Sequence, residues 1–484
     1  MTTGMTTVPM ADAATTATRA ATAPPRTPRP PAGAADGANG TNAGDSNRVI
    51  RRLALARATV RILADAIVDP AQLRLELDDG PGGSAAPPSF GDPIATVRIK
   101  GPDAVARLLW PPTPDSFAEA YLRGDIEIVG DVSAAIEAGQ ALDVRRLGAD
   151  GLRRVLRYGW QLRQGVPART APDRFARPTG RLHSPARDLA AVRFHYDVGE
   201  DFYALWLDRR LTYSCAYFER ADAPQADLDA AQEAKLDLIC RKLDLQQGQR
   251  LLDIGCGWGS LILFAAERYG VEVVGVTLSE RQADEANRRA RAGGLSDRVR
   301  AEVRDYRDIR PLGKFDAVAS VGMFEHVGAN QLRRYFEAAW DALAPGGRFL
   351  NHGIAQARRS PKLGSDLRPR ISSFVSRYVF PDGELVPVET AIAVAHGEVG
   401  FETLDVQSLR PHYALTLAAW ISALEAAWDA AVGVAGSEVA RTWRLYMSGA
   451  RLAFERGDLD VAQILLGRPL DSRRPAPRPL RPWW

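Results

Sequence analysis

The run Leu252-Asp253-Ile254-Gly255-Cys256-Gly257-Trp258-Gly259 is the part of the chain whose spacing speaks most directly of a bound small molecule. Glycines at the end of a strand let the backbone turn tightly and approach a ligand closely. A dinucleotide loop would be spaced G-x-G-x-x-G, with an acid at the tip of the following strand. Here the spacing is G-x-G-x-G, and the next strand ends Gly275-Val276-Thr277-Leu278-Ser279 with no acid. Both features disfavour a nicotinamide cofactor. An acid just before the glycines, Asp253, is instead the usual mark of an S-adenosylmethionine (SAM) site. Arg304-Asp305-Tyr306-Arg307-Asp308 then offers Asp305 to accept from an adenine amino group and Tyr306 to cover the ring face. The chemistry suggested is transfer of an electrophilic methyl group.

Positioning these residues requires a sheet with its active edge at the strand C-termini. Residues 190–358 alternate strand and helix, with strands expected at Arg250–Ile254, Val271–Leu278, Val299–Val303, Ala317–Val321 and Arg348–His352. This pattern predicts an α/β, doubly wound, Rossmann-like parallel sheet. Residues 410–470 read as mostly helical, with a helical cap over 410–458. The segment 47–148 reads as a small α+β accessory domain: a helix over Arg48–Ile67, strands at Leu73–Leu77 and Pro93–Ile99, and further elements to Leu142. Residues 1–46 contain no Leu, Ile, Phe, Trp or Tyr and are expected to be disordered. Residues 149–189 form a basic linker, and residues 471–484 a basic tail ending in Trp483 and Trp484 that could touch lipid or simply fray.

Further stretches make the pattern specific. They are His195-Tyr196-Asp197-Val198-Gly199, Leu211-Thr212-Tyr213-Ser214-Cys215-Ala216-Tyr217-Phe218, Gln232-Glu233-Ala234-Lys235-Leu236, and Ser320-Val321-Gly322-Met323-Phe324-Glu325-His326-Val327-Gly328. In order and spacing the chain resembles the cyclopropane-fatty-acyl-phospholipid synthase family, which includes the mycolic acid cyclopropane synthases. The resemblance runs from about residue 50 to 470 and is strongest between 190 and 358. Residues 47–148, including Ala118-Glu119-Ala120-Tyr121, resemble the N-terminal domain of the phospholipid-acting members.

The resemblance implies that SAM donates one carbon to the cis double bond of a phospholipid acyl chain. The alkene is a weak neutral nucleophile, so alignment and exclusion of water must supply much of the rate. Attack leaves a carbocation, and loss of a proton from the transferred methyl closes a cyclopropane ring. The resemblance assigns the base to a bound bicarbonate, caged by Cys215, Glu325, His352, the backbone of Ile354, and Tyr413. The SAM set it implies is Tyr196, Tyr213, Ser214, Asp253, Gly255, Gly257, Thr277, Gln282, Asp305 and Tyr306. Thr277 and Gln282 stand where the family handles the ribose without a carboxylate. His195 and His326 are expected to be structural hydrogen-bonders. Glu200, Leu404 and Ala462 depart from the family pattern, which bears on the acyl pocket. A related lipid methyltransferase, giving a methylene or methyl branch from the same cation, shares almost every one of these residues. A homodimer is a further implication of the family.

Composition bounds the partners. The 62 basic and 59 acidic residues leave a formal net charge of +3, too even for a generic nucleic-acid coat. The three cysteines, Cys215, Cys240 and Cys256, are odd in number with no C-x-x-C pair, which suits a reducing cytosol rather than a disulfide scaffold or zinc ribbon. No apolar run approaches the ~18 residues of a bilayer span. The expected location is cytoplasmic, peripheral to the inner face of the membrane. Residues 152–162 place Leu152, Val155, Leu156 and Trp160 near helical spacing with Arg153, Arg154 and Arg157 between them. This basic amphipathic helix suits an anionic lipid surface or a solvated linker.

Overall fold

The computed structural model describes residues 42–69, 71–78, 94–110, 113–141, 143–166, 172, 174–196, 198–220, 227–357, 373–471 and 473–476. Most of the N-terminal tail, Asp197 and the last eight residues therefore lie outside the described residues.

The N-terminal part runs α1 (Asn42–Ala64), β1 (Leu73–Asp78), β2 (Ala95–Lys100), α2 (Gly101–Leu108), α3 (Pro114–Leu122), β3 (Ile126–Gly130), α4 (Val132–Gln140) and α5 (Gly148–Arg163). The first helix begins at Asn42, inside the stretch expected to be disordered, because a helix nucleated by the apolar run from Val49 can extend backward through local hydrogen bonds alone. Strands β1 and β2 pair in parallel, and β3 pairs antiparallel with β2. Alternation in Ala95-Thr96-Val97-Arg98-Ile99 buries Ala95, Val97 and Ile99 on one face. Helix starts are fixed by side chains: the Ser116 amide donates to Thr113 Oγ1 at 3.2 Å, and the Ser133 amide to Asp131 Oδ1 at 2.7 Å.

The larger part continues with α6 (Pro185–Tyr196), α7 (Glu200–Ala204), α8 (Leu228–Leu243), β4 (Arg250–Ile254), α9 (Ser260–Tyr269), β5 (Glu272–Thr277), α10 (Glu280–Ala292), β6 (Val299–Val303), β7 (Phe315–Val321), α11 (Leu332–Ala342) and β8 (Leu343–Gln356). It ends with α12 (Ser373–Tyr378), α13 (Val388–Ile392), β9 (Glu402–Ser408), α14 (Arg410–Ala426), α15 (Trp428–Ala435), α16 (Ser437–Arg456) and β10 (Leu459–Gly467). The sheet order is β6-β5-β4-β7-β8-β10-β9. The first five strands are parallel, and all but the edge strand β6 are largely buried, as an α/β doubly wound sheet requires. The order reverses between β4 and β7, which opens a crevice at their C-terminal ends.

Two strands escaped the sequence reading. Residues 459–467 are not helix but β10, antiparallel to β8, and β9 closes the edge beyond it. The run Val461-Ala462-Gln463-Ile464-Leu465-Leu466 is continuously apolar apart from Gln463, so its period could not separate strand from buried helix.

From Ile50 onward the chain packs as one unit. One apolar core joins Ala56, Val97 and Ile128 of the N-terminal part to Trp420, Trp443 and Val461. Arginines of α16 lock the two parts together. Arg441 pairs with Glu127 at 2.6 Å, and Arg444 donates to the Ile128 carbonyl at 3.0 Å and the Tyr121 hydroxyl at 3.1 Å.

Gly353 in β8 is a close-approach position, since a Cβ there would lie 2.8 Å from Phe324 Cβ. Gly353→Ala is expected to destabilise the protein by about 1–3 kcal/mol through overpacking, read as a lowered thermal midpoint. An unchanged midpoint would show that the Phe324 turn gives way freely.

Candidate active site

Two cavities meet above the β4–β7 crevice. The smaller, of about 130 Å³, is lined by all ten residues expected to hold the methyl donor: Tyr196, Tyr213, Ser214, Asp253, Gly255, Gly257, Thr277, Gln282, Asp305 and Tyr306. The larger, of about 830 Å³, is lined by Cys215, Glu325, His352, Ile354 and Tyr413. Both share Tyr196, Tyr213, Ser214, Gly322 and His326. The two sets of sequence candidates thus occupy opposite sides of one wall.

In the smaller cavity, Asp253 is next to last in β4 and is 2% exposed. Burial pushes its pKa up to about 7, against the pull of nearby Lys235, and Oδ1 has no hydrogen-bond partner. Gly255 has φ +90°, and a Cβ there would meet Met323 Cβ at 3.0 Å, so the loop needs glycine at this turn. Thr277 Oγ1 donates to Gln282 Oε1 at 2.7 Å, which sets the α10 start against the tip of β5. Asp305 accepts from Arg307 at both oxygens, through Nε at 2.7 Å and Nη2 at 2.6 Å. Oδ1 also accepts from the Arg307 amide at 2.9 Å, so Oδ2 is the less committed oxygen. The Tyr306 ring is buried edge-on to Tyr335.

In the larger cavity, Glu325 Oε1 accepts from the Ile354 amide at 2.8 Å. Burial pushes the Glu325 carboxyl up to about 7, opposed by that amide, and Oε2 is buried without a partner. The Ile354 backbone, which the resemblance places in the cage, thus gives its N–H to the buried Glu325 carboxyl. His352 lies opposite Gln463 in the β8–β10 ladder, with Gln463 Nε2 at 3.2 Å from Nδ1. With Nδ1 accepting, the ring proton belongs on Nε2, which is buried without a partner. Burial, with Lys235 and Lys242 beyond, pushes the ring down to about 3, so it is neutral. Cys215 is fully buried, and burial pushes its thiol up. The Tyr413 ring packs on Phe454 at 4.7 Å and edge-on to Trp420 at 6.0 Å.

Aromatic rings surround the junction. Tyr213 has ring centroids of His195, Tyr203, Trp206, Trp420 and Trp443 all within 5.4–5.8 Å. His195 Nδ1 donates to the Val379 carbonyl at 2.8 Å and the ring stacks on Phe380, a structural role. His326 instead lines both cavities, and burial pushes it down to about 4.

The family model for mycolic acid cyclopropane synthetase matches residues 183–464. This chain belongs to that family. It is 38% identical over 397 residues to a probable fatty acid methyltransferase of Pseudomonas putida, covering 82% of this chain and 92% of that protein. It is 36% identical over 291 residues to the cyclopropane-fatty-acyl-phospholipid synthase of Escherichia coli (strain K12), covering 60% of this chain and 71% of that protein. A solved mycolic acid cyclopropane synthase complexed with SAH and CTAB superposes with a TM-score of 0.53 and 35% identity, over 58% of this chain and 98% of that one.

Several residues of this family member had no role assigned from sequence. Gln232 and Lys235, one turn apart on α8, pin the wall: Gln232 Nε2 donates to the Ser214 carbonyl at 2.9 Å, and Lys235 Nζ to Ser214 Oγ at 2.9 Å. Burial lowers Lys235 to about 8, with Asp208, Cys215 and Asp253 opposing. The larger cavity also extends beyond the C-terminal helices. Leu73, Leu75, Val97, Ile99, Ala135 and Gly139 of the N-terminal part line the same cavity. Conversely, Leu404 and Ala462 touch neither cavity. Leu404 packs under the sheet edge near Gly467, and Ala462 faces Gly353 in the β8–β10 ladder.

The His352 ring is expected to be neutral and protonated on Nε2 throughout pH 5–8. Nitrogen-15 NMR of labelled histidine checks this against Gln463→Leu, which removes the Nδ1 partner. A ring that titrates near 6.5 would contradict the assigned burial.

Proposed function

We propose that the enzyme transfers the methyl carbon of SAM to the cis double bond of a phospholipid acyl chain, yielding a cyclopropane fatty acyl chain. One observation carries the reading: a small cavity lined by the carboxyls of Asp253 and Asp305 and a large apolar one share a wall of Tyr196, Tyr213 and Ser214. A solved relative complexed with both SAH and CTAB, a spent methyl donor and a long alkyl chain, supports the reading.

SAM supplies an electrophilic methyl carbon when bound. Asp253 would accept from its amino group, the Gly255 and Gly257 backbone would admit the donor closely, Thr277 and Gln282 would meet the ribose, and Asp305 with Tyr306 the adenine. The apolar cavity would exclude water from the alkene. Positive charge on the acyl chain would be favoured by the Tyr213 and Tyr413 ring faces and by the Glu325 carboxylate. A neutral His352 adds no opposing charge. With a pKa of about 7, Glu325 can hold or release a proton near neutrality. The orphaned Glu325 Oε2 and His352 Nε2 form an acceptor and a donor facing one buried space with Cys215 and Tyr413, which fits bicarbonate. Bicarbonate held there would supply a base close to the transferred carbon.

A second reading is favoured by the relative matched over 82% of this chain, whose name is probable fatty acid methyltransferase. In that reading the same cation loses a different proton and leaves a methyl or methylene branch.

Isomer-resolved mass spectrometry and NMR of lipids, after expression in a host lacking the activity, separate the two. The expected product gains one CH₂ and has a ring and no double bond. A retained olefin would establish the second reading, and no mass gain would sink both. Glu325→Gln is expected to lower turnover about 10²–10³-fold while leaving SAM binding within about twofold.

The N-terminal wall makes a separate prediction. Gly139 is exposed where it lines the cavity, and a Cβ there would meet nothing within 4 Å. Gly139→Leu should lower kcat/KM for the longest acyl chains about tenfold, with short chains and stability little changed. Equal effects on all chain lengths would mean that the acyl chain does not reach α4.

A further inference from the structure

Helix α5 carries two faces. Val155, Gly159 and Leu162 are buried, and a Cβ at Gly159 would lie 3.2 Å from Leu109 Cδ1. Leu108 and Leu109 in turn line the 830 Å³ cavity. On the adjacent face, spaced i, i+4, i+8, Leu152, Leu156 and Trp160 are 44%, 52% and 60% exposed. Trp110, directly after Leu109, is 46% exposed. Arg153, Arg157 and Arg163 of the same helix are exposed, and Arg154 pairs with Asp150 at 2.5 Å. Exposed indole and leucine side chains at helical spacing cost solubility and need a reason. Among the described residues no single helix is long and apolar enough to cross a membrane.

We propose that this face of α5 is an interfacial docking surface for an anionic phospholipid bilayer, with Leu152, Leu156 and Trp160 entering the headgroup–acyl boundary and Arg153, Arg157 and Arg163 meeting lipid phosphates. The proposal rests on the reading of a phospholipid acyl chain as substrate. Charge complementarity chooses the occupant. A second copy on the same face would set two arginine-rich helices against each other in a two-fold pairing, whereas an anionic surface neutralises them. Trp and Leu on one face with Arg beside them is the composition of a helix lying in the interface plane. The position is functional as well as compositional. The buried face of α5 packs through Gly159 on Leu109, which lines the acyl cavity, so the docking helix and the cavity share a neighbour.

The test uses the full chain and vesicles of unsaturated phosphatidylglycerol and phosphatidylethanolamine. Co-sedimentation is compared for the wild type, Leu156→Ser/Trp160→Ser and Arg153→Gln/Arg157→Gln. In parallel, turnover is measured on the same lipid dispersed in detergent. The apolar pair should weaken vesicle binding by at least about tenfold. The arginine pair should reduce binding and flatten its fall with salt. Both variants should turn over dispersed lipid like the wild type. Wild-type sedimentation by both variants would overturn the proposal. So would a change of oligomeric state in Leu156→Ser/Trp160→Ser, which would make the face a contact between copies. Failure of the wild type to turn over dispersed lipid would instead count against the substrate reading, and leaves the vesicle comparison standing.

Discussion

The wall between the two cavities is an irregular segment, Leu211–Phe218, that belongs to no helix or strand. It is largely buried, so its backbone groups must find partners without a ladder. Side chains supply them. Asp208 accepts from the Thr212 amide at 2.7 Å, Gln232 donates to the Ser214 carbonyl, and Lys235 donates to Ser214 Oγ. From the other side, Thr416 Oγ1 accepts from the Ala216 amide at 3.0 Å and His412 Nδ1 from the Phe218 amide at 3.1 Å. Helices α8 and α14 thus hold one strip of chain between them. Tyr213 and Ser214 face both cavities and Cys215 the acyl side only because that strip is fixed.

Burial then sets the charge states. Lys235 falls to about 8, Asp253 and Glu325 rise to about 7, and His352 falls to about 3. The cavities therefore hold carboxyls that can ionise near neutrality, the imidazoles of His326 and His352 held neutral by burial, and the Lys235 ammonium tied to Ser214. Arg304 and Arg307 also line the donor cavity, so attraction of a cation rests on the carboxyls of Asp253, Asp305 and Glu325. Both the proposed donor and the proposed intermediate are cationic, so the same low-dielectric surroundings that make ionisation costly for the empty site favour it when positive charge arrives.

Much of this could be read from the chain. The strands at Arg250–Ile254 and Val299–Val303 fall where their apolar runs put them, and the ten candidate residues around the glycine loop share one cavity. These features are local: a strand tip, a loop and a cap carry their own sequence signals. What escaped notice depends on contacts between distant segments. Gln463 reaches His352 across β10, a strand hidden in an apolar run. Lys235 stood only within a motif with no role of its own, yet its four-carbon stem passes through the core to Ser214. The N-terminal residues lining the acyl cavity carry no reactive groups, so nothing in Leu73-Arg74-Leu75 or Ala135-Ile136 announced a role. Leu404 and Ala462 erred the other way, since a departure from a family pattern marks a position without saying what it touches.

The continuity of the acyl cavity from Cys215 and Glu325 to the N-terminal sheet is tested most directly by a structure of the protein with SAH and a bound monounsaturated acyl chain. The double bond should lie against Tyr213 and Glu325, with one arm of the chain running between α16 and β2 to reach Gly139. A chain that binds wholly beneath α14 and α16, leaving the N-terminal wall bare, would contradict it.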